Sequence, residues 1–160
     1  MTQHKVGIAE AAVCHKNESI LTIGLGSCVG VCLYDGTKKI AGMAHIMLPD
    51  STNSKNNINR YKFADTGIDD LVSAMERAGA SKLKIQAKIA GGAQMFTSTN
   101  ASDIMKIGDR NVSAVKNQLA KHGVRVVSED TGHNYGRTIE FFAESGSLHV
   151  KSIKTGVKVI

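Results

Sequence analysis

The sequence predicts an α+β fold: a β-sandwich or strongly bent mixed sheet with two or three helices packed outside. Three observations predict it. Many short segments rich in Val and Ile are separated by Gly, Asn or Asp. Two longer segments instead carry apolar residues at helical spacing. No repeat, low-complexity tract or long linker divides the 160 residues, so residues 1–160 read as a single domain.

The first strand-like segments are Lys5–Val13, Ser19–Leu25, Val29–Tyr34 and Lys39–Leu48. Asp35-Gly36 between the last two is a hairpin signal. A loop follows at Pro49–Asn59, dense in turn formers and carrying the one proline of the chain. From about Lys62 to Ala78 the spacing predicts a helix. Ile68, Leu71, Val72 and Met75 fall on one face, and Gly79 stops it. Lys82–Ile89 is strand-like again. A second helix is expected from about Asp109 to His122, with Val112, Val115 and Leu119 on one side and Gly123 at its end. The remaining strands are expected near Val124–Ser128, Thr138–Ala143, Leu148–Ile153 and Val157–Ile160.

Composition narrows the function. Hydrophobic residues make up 42% and charged residues 21%, which is ordinary for a globular protein. No apolar run approaches the roughly 20 residues of a membrane span. Met1-Thr-Gln-His-Lys lacks an apolar signal segment, so the expected location is the cytoplasm. Cys14, Cys28 and Cys32 match neither a zinc ribbon nor a redox Cys-x-x-Cys. No metal or cofactor is therefore expected, and at least one thiol is free for chemistry. The net charge of +6 is uneven: residues 1–80 hold eight basic and eight acidic side chains, residues 81–160 twelve and six. Lys82, Lys84, Lys106 and Arg110 of that half either dock an acidic partner or form a solvated basic face. Nucleic acid is disfavoured, because aromatic residues are 4% of the chain and do not interleave with the lysines.

The chemistry-bearing stretch is Thr22-Ile-Gly-Leu-Gly-Ser-Cys-Val-Gly, followed by Ala44-His-Ile-Met-Leu-Pro-Asp. Gly24 and Gly26 permit positive φ and a tight turn before Cys28. Such a turn can aim backbone N–H groups at one point, as an oxyanion hole requires. A dinucleotide-binding fingerprint would need a third glycine at position 29, which is Val29, and a helix where a strand follows. Cys14 and Cys32 lie inside strand patterns and read as core.

Strand alternation sets Ile40, Gly42, Ala44, Ile46 and Leu48 on one face and His45 on the other. A neighbouring strand could bring a thiol to that imidazole and lower its pKa. On spacing alone the plainer reading, a core histidine bonded to a backbone carbonyl, is the stronger one. His4, His15, His122, His133 and His149 fall in termini, turns or surface positions.

Four motifs in order, Leu25-Gly-Ser-Cys-Val, Ala44-His-Ile-Met-Leu-Pro-Asp-Ser, Lys88-Ile-Ala-Gly-Gly-Ala-Gln-Met-Phe and Glu129-Asp-Thr-Gly, resemble the chemoreceptor glutamine deamidase (CheD) family through nearly the whole chain. The resemblance implies a fold related to the cysteine deamidase domains of certain bacterial toxins. It implies a protein-glutamine glutaminase with a Thr–His–Cys set, which falls on Thr22, His45 and Cys28. Ser27 and Cys28, with Gly26, would supply the oxyanion site. Gly91 and Gly92 would line a cleft for glutamine, or simply form a tight turn. Implied partners are the cytoplasmic helices of chemotaxis receptors and a CheC-type phosphatase. A non-catalytic adaptor is the alternative. The family usually has a second glycine where this chain has His133.

Overall fold

The computed structural model describes residues 1–52, 54, 59–95 and 106–160. Phe96 and residues 53 and 55–58 of the expected loop lie outside the described residues.

The strands are β1 (Thr2–Lys5), β2 (Ala11–Cys14), β3 (Glu18–Leu25), β4 (Val29–Asp35), β5 (Ile40–Ile46), β6 (Ile85–Gly91), β7 (Arg125–Thr131), β8 (Arg137–Phe142), β9 (Leu148–Ser152) and β10 (Gly156–Val159). The helices are α1 (Ala64–Arg77) and α2 (Ile107–Lys121), and single 3₁₀ turns occupy Arg60–Lys62 and Lys82–Lys84. Among the described residues the strands form two mixed sheets, in the orders β1-β3-β8-β9-β10 and β2-β5-β4-β6-β7. The two sheets face each other and both helices cover the outer side of the second. This is the α+β sandwich with helices outside that the sequence predicts.

Alternation explains the layers. On β4 and β5, Val29, Val31, Leu33, Ile40, Ala44 and Ile46 pack with Ile68, Leu71, Val72 and Met75 of α1 and with Val115 and Leu119 of α2. The opposite faces send Cys32, Ala41 and Met43 inward, against Ile20, Leu25, Ile139, Phe141 and Val150 of the first sheet. The strand segments between two apolar layers are apolar on both faces: every residue of Ile40–Ile46 is buried.

Three details depart from the expected elements. The single segment Lys5–Val13 is two strands, because β1 joins β3 in the first sheet while β2 joins β5 in the second. Val6–Glu10 carries the chain across, with Ala9 at φ 63°. Lys82–Lys84 is a 3₁₀ turn ahead of the strand. In β3 the ladder with β8 slips between Thr22 and Leu25, and Gly24 sits in the left-handed region at φ 77°. Ile20 and Thr22 point inward by ordinary alternation, and the bulge brings Leu25 inward as well, where strict alternation would turn it out.

Candidate active site

Each of the three residues expected to act together is placed by a different strand end. Thr22 lies at the bulge of β3, His45 is next to last in β5, and Cys28 immediately precedes β4. The turn before Cys28 is held on both sides. Gly26 N–H donates to the Gly24 carbonyl (3.1 Å), and Ala93 N–H donates to the Gly26 carbonyl (2.9 Å). Gly92 N–H donates to the Cys28 carbonyl (2.8 Å).

Thr22 and His45 meet across the two sheets. The Thr22 Oγ1 is 2.7 Å from the Val6 carbonyl oxygen and 2.7 Å from His45 Nδ1. A carbonyl can only accept, so the single hydroxyl proton goes to Val6. The threonine oxygen therefore accepts from Nδ1–H, and this fixes the tautomer: Nε2 is the bare nitrogen. The backbone of His45 is clamped as well, its N–H donating to the Glu10 carbonyl and its carbonyl accepting from Ala9 N–H, both at 3.0 Å. Thus Val6–Glu10, the crossing between sheets, serves both residues.

His45 is fully buried, and its Nε2 has no hydrogen-bond partner among the described residues. Leaving such a nitrogen unpaired costs about 1–3 kcal/mol, so it calls for a reason. Gly30 of β4 stands directly opposite His45. Cys28 lies two residues before Gly30 and packs on the same inter-sheet side, which makes Cys28 and His45 diagonal cross-strand neighbours; no hydrogen bond joins the Cys28 sulfur to His45 Nε2 in the structure.

The electrostatics of the resting pair are those of two neutral groups. Burial pushes the Cys28 thiol up, against a lowering by its own backbone N–H. Burial likewise pushes the His45 imidazole down. The expected depression of the thiol pKa is thus not what the structure gives, because desolvation outweighs any stabilisation of the thiolate. Cys14 is pushed up to about 12, first by burial and then by Glu18. Cys32 is pushed up by full burial. Both pack in the layer between the sheets, whereas Cys28 is half-buried.

The glycines act differently from expectation. Gly26 is not among the residues with positive φ, and its N–H is engaged by Gly24. Gly91 does adopt φ 113°, and Gly92 φ 67°. Neither opens a space for substrate by lacking a side chain. A Cβ on Gly91 would lie 2.2 Å from the Cys28 carbonyl oxygen, and one on Gly92 would lie 2.3 Å from Val112 Cγ2. They let β6 and α2 close directly against the cysteine turn.

Ser27 is half-buried, and its carbonyl accepts from Asn111 Nδ2 of α2 at 2.9 Å. Sequence reasoning missed Asn111, although a polar residue one turn before Val115 on an inward stripe was a readable signal. His133, at φ 60°, accepts at its carbonyl from Gln94 N–H (2.9 Å), beside the residue that holds Gly26. Lys82 and Lys84 lie at the start of β6, whose other end reaches Cys28; at about 3.3 Å per residue that is about 20 Å away. Lys106 and Arg110 instead begin α2, next to Asn111. The basic residues expected to act as one surface are therefore split between opposite ends of the sheet.

Among the described residues no group of three or more His, Cys, Asp or Glu could hold a metal ion, and no helix is long and apolar enough to cross a membrane.

Fold and site together define a class: a two-sheet α+β protein that presents a half-buried thiol on the strand face of a buried, threonine-held histidine. The chain matches the family described as CheD chemotactic sensory transduction over residues 47–152. It is 54% identical over 156 residues to the probable chemoreceptor glutamine deamidase CheD of Caldanaerobacter subterraneus subsp. tengcongensis, covering 98% of this chain and 96% of that one. It is 48% identical over 157 residues to the chemoreceptor glutamine deamidase CheD of Bacillus subtilis (strain 168), covering 98% and 95%. With the corresponding protein of Halalkalibacterium halodurans the identity is 50%, covering 98% and 97%. The chain belongs to the CheD family.

Proposed function

We propose that residues 1–160 act as one deamidase domain in the cytoplasm, hydrolysing glutamine side chains of chemotaxis receptors to glutamate. The observation that carries this reading is the bare, buried Nε2 of His45, held toward its task by Thr22 and set diagonally from Cys28. The names of the relatives support the choice of substrate.

Cys28 Sγ–H gives its proton to His45 Nε2 as the sulfur attacks the carboxamide carbon of glutamine. Because burial holds the thiol and the imidazole neutral at rest, proton transfer accompanies attack and does not precede it. The oxyanion is met by the backbone N–H groups of Ser27 and Cys28. The imidazolium then protonates the amide nitrogen, the C–N bond breaks and ammonia departs, leaving a thioester. Water, deprotonated by Nε2, attacks that carbonyl, and the C–S bond breaks with return of the proton to sulfur. The sum is glutamine plus water to glutamate plus ammonia. Thr22 moves no proton; it holds Nδ1–H so that Nε2 stays the acceptor.

A CheC-type phosphatase is kept as a second partner. An adaptor without catalysis is the weaker reading, since docking alone has no use for an unpaired nitrogen buried beside a thiol.

The test is to incubate the protein with a receptor cytoplasmic fragment and follow each glutamine by mass spectrometry. Conversion of defined glutamines to glutamate by the wild type, and none by Cys28→Ala, is the expected result. Equal conversion by both proteins would sink the reading.

A further inference from the structure

Asn111 is fully buried on α2, in line with Val115 and Leu119 of the apolar stripe. Asparagine is a poor helix former and costly to bury, so its place there requires a use. Its Nδ2 donates to two carbonyls, Ser27 at 2.9 Å and Met47 at 3.0 Å. Both carbonyls can only accept, which fixes the amide with its NH₂ toward them and uses both hydrogens. Its Oδ1 is buried without a partner, so among the described residues the Ser27 and Met47 carbonyls are the only hydrogen-bond partners of the side chain.

The two carbonyls come from the two halves of the site. Ser27 precedes the nucleophile, and Met47 follows His45 by two residues. The Ser27–Cys28 peptide is trans, and in a trans peptide the C=O and N–H point in opposite directions. Anchoring the Ser27 oxygen to α2 therefore turns the Cys28 N–H away from the helix, to the side of its own thiol. That N–H is the one that favours the thiolate of Cys28.

We propose that Asn111 is a positioning residue: its amide, holding the Ser27 and Met47 carbonyls, aims the Cys28 N–H at the reacting centre and sets the separation of the Cys28 turn from the His45 strand. This rests on the reading of Cys28 and His45 as nucleophile and base.

The experiment compares Asn111→Leu, close in shape and without donors, with Val115→Ala, which loosens the same helix face and touches neither carbonyl. Asn111→Ala stands in if the leucine variant does not fold. Two quantities are measured: the pH profile of Cys28 alkylation by iodoacetamide, and kcat and KM on a receptor fragment. Asn111→Leu is expected to move the alkylation profile to higher pH and to lower kcat by about tenfold or more, with KM within about twofold. Val115→Ala should lower Tm and leave the alkylation profile in place. If the two variants shift alkylation alike, or if Asn111→Leu and Asn111→Ala alkylate as the wild type does, the proposal is overturned. The alkylation arm needs no substrate, so it decides the role of Asn111 even if the wild type proves inactive on receptors, an outcome that would count against the functional reading alone.

Discussion

The oxygen of Thr22 sits 2.7 Å from His45 Nδ1 with its only proton committed to the Val6 carbonyl. A neutral hydroxyl thus holds the ring as a carboxylate holds the histidine of known catalytic triads, but without adding negative charge beside it. It orients the imidazole and leaves burial free to lower the basicity of Nε2.

From this follows the first prediction. Thr22→Val keeps the shape and removes the acceptor, stranding Nδ1–H and the Val6 carbonyl in a dry layer. Deamidation kcat should fall about ten- to a hundredfold, while Thr22→Ser retains most activity. In the proposed mechanism His45 and Cys28 are base and nucleophile and act as a unit, so His45→Ala should lose nearly as much as Cys28→Ala. Steady-state kinetics of the four variants decide this; a Thr22→Val enzyme as fast as wild type would show that the hydroxyl has no part in orienting the ring.

The three thiols should separate cleanly by reactivity. Cys28 is half-buried at a turn, whereas Cys14 and Cys32 are sealed between the sheets and held un-ionised by burial. Iodoacetamide on the native protein should label Cys28 first, faster as pH rises, because its thiol too is pushed up by burial. Cys28→Ala should abolish turnover with Tm little changed, and Cys14→Ala and Cys32→Ala should remain active. Peptide mapping that finds another cysteine labelled first would contradict the assignment.

Burial of neutral His45 also makes a statement about stability. Its folded pKa lies below the unfolded value of about 6.5, so the unfolded chain binds the extra proton between the two. The contribution is complete above about pH 6.5 and is lost as pH falls toward the folded pKa. Tm should therefore drop on acidification from neutrality, and His45→Gln, which cannot take up that proton, should show a shallower drop. The same sign applies to turnover: Nε2 stays a free base below the usual histidine range, so the acid limb of kcat/KM should lie below about pH 6.5. Parallel Tm curves for the two proteins would refute the stability argument.

Much of this architecture was legible because it rests on local periodicity. The stripe Ile68, Leu71, Val72 and Met75 is the buried face of α1, and the alternation that turned His45 away from Ile46 is the observed one. What escaped was set by distant pairing. Nothing local to Lys5–Val13 tells that its halves join different sheets, since that depends on β3 and β5 as partners. The slip at Gly24, which turns Leu25 inward after Ile20 and Thr22, likewise exists only relative to β8. Gly91 looked like an opening, but whether a missing side chain makes room for substrate or for backbone depends on the Cys28 carbonyl lying against it.

The split of the basic residues changes how substrate capture should respond to charge. A glutamine on a receptor helix is presented on a long surface, and a site as small as the Cys28 turn offers little grip on it. Lys106 and Arg110 are exposed at the start of α2, beside the residue that holds Ser27, and line a shallow depression together with Asp50. Lys82 and Lys84 are equally exposed but at the far end of β6, roughly two Debye lengths away at physiological salt, where the screening length is about 8 Å. Acidic stretches beside the target glutamine would therefore feel the first pair and scarcely the second. Charge of this kind acts mainly on association. Reversal of Lys106 and Arg110 to glutamate should raise KM on a receptor fragment several-fold with kcat and Cys28 alkylation unchanged, and added salt should raise the wild-type KM in the same direction. Reversal of Lys82 and Lys84 should change neither. A KM that is flat in salt, or equally sensitive to both pairs, would mean that receptor docking is driven by shape and apolar contact and that these cations are only a solvated surface.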